Sequence, residues 1–192
     1  VEALPPYLFA EISKRIAAKR AEGVDIVTFG IGDPDLPTPR HILDALHQAA
    51  EEPVNHRYPE SEGLPELRHR FEVKFDPQKE TLPLIGSKEG IGHIALCFID
   101  PGDIALVPDP GYPVYEVGTM FAGGTSYKLD CTRESGWKPD FERIPADVAE
   151  KAKLIWLNYP NNPTGAVADF DFFERAIHWA KKYDVAILHD NP

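Results

Sequence analysis

From residue 104 to residue 188, short apolar runs alternate with stretches of helical spacing, and this alternation limits the fold more than any other feature of the chain. Ile104–Val107, Ser126–Leu129 and Leu154–Leu157 read as strands, and Val185-Ala-Ile-Leu188 is apolar without a break, the pattern of a strand buried on both faces. Between them a helix is expected from about Val114, and another with Phe172, Phe173, Ala176, Ile177 and Ala180 on one face. The pattern predicts an α/β fold of three layers, α/β/α, around a mostly parallel sheet, with ligands at the carboxyl ends of the strands.

Upstream, a helix is expected over Tyr7–Glu22, where Leu8, Ile12 and Ile16 share a face and Gly23 suits the stop. A short strand, Ile26–Phe29, should follow. Thr38 ahead of Pro39 reads as a capping hydroxyl before a first-turn proline, opening a helix through Ile42, Leu43, Leu46 and Ala50 that ends by Pro53. Leu82–Ile85 reads as a strand and the residues up to Ile99 as a helix. The 19 prolines and 14 glycines are scattered through the connections, and neither a linker nor a repeat stands out.

A formal net charge of −11 argues against nucleic acid or an anionic membrane as a partner. No window reaches the ~18 apolar residues of a membrane span, and the first residues lack a basic-then-apolar leader, so a cytoplasmic location is expected. Cys97 and Cys131 have no metal or redox spacing and are expected to be buried free thiols; no histidine is assigned to a metal.

Three junctions just after expected strands hold the residues with chemistry: Gly86-Ser-Lys-Glu-Gly90, Tyr159-Pro-Asn-Asn-Pro-Thr-Gly165 and His189-Asp-Asn-Pro192. At the first, free N–H groups near Ser87 and Lys88 and the serine hydroxyl suit a phosphate, although an ordinary capped turn has the same composition. Its glycine spacing is not that of a Walker loop, and Gly30-Ile-Gly32 does not complete a dinucleotide fingerprint. His189, beside Asp190, reads as a packing residue.

Tyr159–Gly165 resembles the Asn-Pro-Thr-Gly signature of the fold-type I pyridoxal-phosphate aminotransferases. The resemblance implies that Asn162 bonds the phenolic oxygen of pyridoxal 5′-phosphate and that Asp190 pairs with its pyridine nitrogen. It further implies that Tyr112, in Gly111-Tyr-Pro-Val-Tyr115, stacks on the cofactor ring, with Ser87 and Lys88 at the phosphate. Tyr58 resembles the tyrosine that reaches a neighbouring subunit's phosphate, which implies a homodimer with shared sites. Gly32 and Tyr7 fall on the substrate side. Leu4–Ile12, Asn55–Pro59, Gly86–Ile91 and Asn158–Ala168 are most similar to the LL-diaminopimelate aminotransferase branch.

On this resemblance residues 1–30 form an arm, helix and first strand on the small-domain side, and 31–192 an incomplete cofactor-binding large domain. The C-terminal remainder, with the Schiff-base lysine, is expected to be absent, and His69–Glu80 looks short. These residues alone are therefore expected to be inactive and poorly stable. The implied activity is amino transfer between an amino acid, LL-diaminopimelate or a related dicarboxylic one, and a 2-oxo acid such as 2-oxoglutarate. A β-eliminating lyase of the same fold, or a non-catalytic binding module, are the alternatives.

Overall fold

The computed structural model describes residues 8–30, 32, 34–70, 76 and 78–191. They belong to two compact units, Val1–Leu82 and Pro83–Pro192.

In the first unit, α1 spans Leu8–Ala21 and stops where Gly23 takes a φ of 81°, a left-handed turn that costs glycine little. Ile12 and Ile16 lie half-buried on one face. Helix α2 spans Arg40–Glu51 and carries no buried residue. Pro39 itself occupies the N-cap, where its carbonyl accepts the N–H groups of Ile42 and Leu43, so Thr38 makes no cap. Asn55 Nδ2 and the His56 ring bond the carbonyls of Ala49 and Ala50, tying the approach to Tyr58 onto the end of α2. A short helix α3, Pro65–His69, follows. The expected strand over Ile26–Phe29 does not form: these residues pair with no neighbour among the described residues, and Val27 and Phe29 are exposed.

The second unit holds the alternating pattern. Helices α4 (Ser87–His93) and α5 (Ala95–Phe98) lead into β1 (Ile104–Asp109), α6 (Val114–Phe121), β2 (Thr125–Asp130), α7 (Ala146–Ala149), β3 (Ala152–Asn158), α8 (Phe170–Tyr183) and β4 (Ala186–Asp190). The sheet order is β2-β1-β3-β4, and all three pairings are parallel.

Strand alternation divides the core into two halves. Leu106, Ile155 and Leu157 pack toward α8 with Phe172, Ala176 and Trp179, while Ala105, Val107, Leu154 and Trp156 pack toward α4 and α6 with Ile91 and Tyr115. Each fully buried Leu or Ile contributes roughly 1.5–3 kcal/mol, so both faces of the sheet are anchored. This is the expected three-layer arrangement.

Several local expectations change. Residues 82–85 form no strand; Leu82 and Ile85 are exposed and have no ladder partner among the described residues. The helix toward Ile99 breaks at Ile94, where α4 with two internal glycines gives way to one turn of α5. That turn aims Ala95 inward and leaves Cys97 exposed, against the expectation of a buried thiol; Cys131 is buried. Strand β4 is half-buried rather than covered on both faces, because it lies at the edge of the described sheet. In α8 the inward face includes Trp179, and Ile177 is exposed.

Candidate functional site

Parallel pairing of β3 with β4 sets Asn158 beside Asp190 at the carboxyl ends of both strands. Asp190 shares the sheet face of Ala186 and Leu188, toward α6. There the Tyr115 hydroxyl donates to Asp190 Oδ2 over 2.6 Å. Tyr115 is 1% exposed, stacks on Trp156 with ring centroids 4.5 Å apart, and meets the edge of Tyr112 at 5.6 Å. Burial, followed by the hydrogen bond to Asp190, raises its phenol far above the usual range, so it remains a proton donor. His189 points to the opposite face and packs edge-on against Phe173, a packing role as expected.

Asn158 is buried and makes two bonds that join the strand ends. Its Nδ2 donates to the Asp190 carbonyl over 2.9 Å, and its Oδ1 accepts the Asn162 N–H over 2.6 Å. In the loop that follows, the two successive asparagines divide their work. Asn161 turns inward, where its Oδ1 accepts the Thr164 hydroxyl at 2.7 Å and its carbonyl accepts the Gly165 N–H. Gly165, at φ 72°, lets the loop close. With that loop clamped, the Asn162 side chain is exposed, and its backbone N–H makes the bond to Asn158.

Tyr112 follows β1 through a turn in which a Cβ on Gly111 would run into the Pro108 carbonyl, so the turn needs glycine. The ring is half-buried against the core beside Tyr115, and Lys88 Nζ lies 5.7 Å from its centroid. Lys88 is itself exposed. Gly86, at φ 75° and ψ 152°, a conformation open to glycine, opens α4. Its predecessor's N–H is taken by the Glu89 carboxylate over 2.7 Å. No side chain caps the Ser87 end, and a helix of seven residues adds only a small dipole, so the serine hydroxyl and backbone N–H groups carry most of the anion-binding capacity. The junction follows an irregular segment, not the strand expected there.

Ser87 and Asp190 line one pocket of about 420 Å³, with Gly90, Ile91, Trp156 and Leu188 among its walls. Trp156, 4% exposed, has an indole N–H with no acceptor among the described residues. The donor set suits a planar aromatic ligand with a basic nitrogen at Asp190 and an anionic group at Ser87 and Lys88.

Of the residues singled out from sequence, Ser87, Lys88, Tyr112, Asn162 and Asp190 all lie in this second unit; Tyr115 joins Tyr112 to Asp190, Asn158 joins Asp190 to Asn162, and Ser87 shares the pocket with Asp190. Tyr58 and Gly32 lie in the first. Tyr58 is fully exposed, and a Cβ on Gly32 would meet nothing within 4 Å. Tyr7 lies outside the described residues. Sequence reasoning missed Tyr115, Asn158 and Trp156, although Tyr115 stands one helical turn beyond Tyr112 and Asn158 is the polar residue that ends an apolar run.

Comparison with known proteins gives this geometry a context. Residues 24–191 match the profile of aminotransferase class I and II. An LL-diaminopimelate aminotransferase of Dehalococcoides mccartyi is 58% identical across 100% of this chain and 52% of its own length. The apo-BacF structure from Bacillus subtilis superposes with a TM-score of 0.88 at 40% identity, over 97% of this chain and 50% of that one. A probable N-succinyldiaminopimelate aminotransferase from Thermus thermophilus gives a TM-score of 0.87 at 36% identity, over 97% and 52%. The chain spans about half the length of the curated relatives it matches.

Proposed function

The chain belongs to the class I and II aminotransferase family, whose cofactor is pyridoxal 5′-phosphate, and from that premise we propose that the whole protein transfers an amino group from LL-diaminopimelate or a related dicarboxylic amino acid to a 2-oxo acid such as 2-oxoglutarate. The observation that carries this reading is the Asp190 carboxylate, fixed by Tyr115 at the mouth of a parallel sheet beside Asn158. The relatives that bear the LL-diaminopimelate name, among them one from Moorella thermoacetica at 55% identity, support the choice of donor.

The residues present fit the cofactor. Asp190 would hold the ring nitrogen protonated, Asn162 the phenolic oxygen, Tyr112 one face of the ring, and Ser87 with Lys88 the phosphate. When bound, the cofactor supplies an electron sink for the carbanion left when the amino acid loses its Cα proton. Asp190 contributes by keeping a negative charge opposite the nitrogen, where that sink needs it. Asn158 orients both strand ends through the Asp190 carbonyl and the Asn162 N–H. Gly32 is proposed to leave room for the substrate α-carboxylate, Tyr7 to take part in substrate binding, and Tyr58 to reach the phosphate of a partner subunit in a homodimer. Residues 31–192 then serve as the cofactor domain, and the cytoplasm as the place of work. Among the described residues no helix is long and apolar enough to cross a membrane.

The test is full-length protein assayed with LL-diaminopimelate and 2-oxoglutarate. Glutamate should form, and Asp190→Ala should lower turnover at least about 100-fold, the scale of losing one preorganised electrostatic partner. Release of ammonia without glutamate would assign the elimination chemistry of a lyase instead. Full-length protein that takes up no pyridoxal phosphate would overturn the proposal.

A further inference from the structure

We propose that Tyr115 is the positioning residue for Asp190: its hydroxyl pins Oδ2 and so reserves Oδ1 for the ring nitrogen of the cofactor. The proposal rests on the functional reading above and concerns a residue that touches neither cofactor nor substrate in it.

Three observations converge on this role. First, the bond is short, 2.6 Å, in the range of an O–H donating to a carboxylate, and it joins residues 75 positions apart in sequence. No donor among the described residues reaches Oδ1. Second, the donor is held on every side. Trp156 lies parallel to the phenol ring, 15° between planes, Tyr112 meets it edge-on, and the Tyr115 carbonyl accepts the Thr119 hydroxyl over 2.8 Å within α6. A ring packed this way has one place to put its hydroxyl. Third, the acceptor needs such a partner. Asp190 ends β4, a half-buried edge strand, and its carboxylate would otherwise sample rotations about its terminal torsion. One fixed donor removes that freedom and still leaves two lone pairs on the other oxygen. Because Tyr112 touches the same ring, the stacking face and the charged partner of the cofactor are set by a single rigid aromatic cluster.

The experiment uses full-length protein reconstituted with pyridoxal phosphate labelled with ¹⁵N in the ring. Tyr115→Phe keeps the ring stack and removes only the hydroxyl. It should weaken cofactor affinity about tenfold, the scale of one hydrogen bond to a charged group, and move the ¹⁵N signal toward the unprotonated position. In an Asp190→Asn background the same substitution should add little, since the acceptor charge is already gone. A 3-fluorotyrosine at position 115, which preserves shape and strengthens the donor, should move the ¹⁵N signal in a different direction from the Phe variant and guards against a folding defect in Tyr115→Phe. Unchanged affinity and an unchanged signal in both variants, or an effect fully additive with Asp190→Asn, would refute the positioning role while leaving the aminotransferase reading intact. Wild-type protein that binds no cofactor overturns both.

Discussion

Two cysteines with the same sequence expectation end in opposite environments, and their chemistry separates accordingly. Cys131 lies buried next to the end of β2, and burial pushes its thiol up to about 11, while Cys97 is exposed. At pH 8 a disulfide reagent should therefore label Cys97 quickly and Cys131 only in denaturant; fast labelling of Cys131 would contradict its burial. The sign of the linkage also follows. Between its ordinary value of 9.0 and about 11, the folded chain holds a proton that the unfolded chain releases, so stability falls as pH rises through that window. The urea midpoint should decline there less steeply in Cys131→Ala. The difference between the cysteines was not legible beforehand, since apolar neighbours in sequence do not say which side of a single helical turn faces the core. Asp190 and Asn162 could be nominated because each sits in a short motif just after an apolar run that resembles the family's. Tyr115 and Asn158 were not, because their importance comes from partners 75 and 32 residues away.

Helix α8 shows what one local interaction contributes to an element. Asp169 caps it, accepting the Phe172 N–H over 2.9 Å, and that bond with the nearby Lys138 holds its carboxyl below the usual range. Asp169→Ala should lower the urea midpoint, and Asp169→Asn should lower it much less, since the cap survives while the exposed ion pair contributes little. Strands β1 and β3 could be read from sequence because each supplies an apolar run to the middle of the sheet, covered on both faces, so pattern and structure answer to the same burial, while β2, at the edge, buries only Leu129. Residues 26–29 and 82–85 have the composition of strands and stay irregular, because a strand is defined by its neighbour and composition carries no record of that. The same holds in milder form for β4, whose run forms a strand but lies half-exposed at the sheet edge.

For the molecule as a whole, the first unit leaves Val27, Phe29, Leu36, Leu46, Val54 and Leu64 exposed, and the proposed homodimer has its test there. The exposed Tyr58 belongs to the same unit, and its proposed role is at a partner's site. Hybrid dimers test this. Full-length Tyr58→Ala and Asp190→Ala variants, each nearly inactive, should on subunit exchange regain about a quarter of wild-type activity, because half the dimers are mixed and one of their two sites is whole. No recovery after verified exchange would remove the shared site. The parallel register of β3 and β4 carries a consequence for how such a chain can change over time. Asn158 and Asp190 meet only because the two strands are counted in step from Leu154 and Ala186. Losing one residue from β4 would draw the carboxylate back by about 3.3 Å and turn it to the α8 side. The strands can exchange one apolar residue for another freely, but their lengths are as fixed as the aspartate itself.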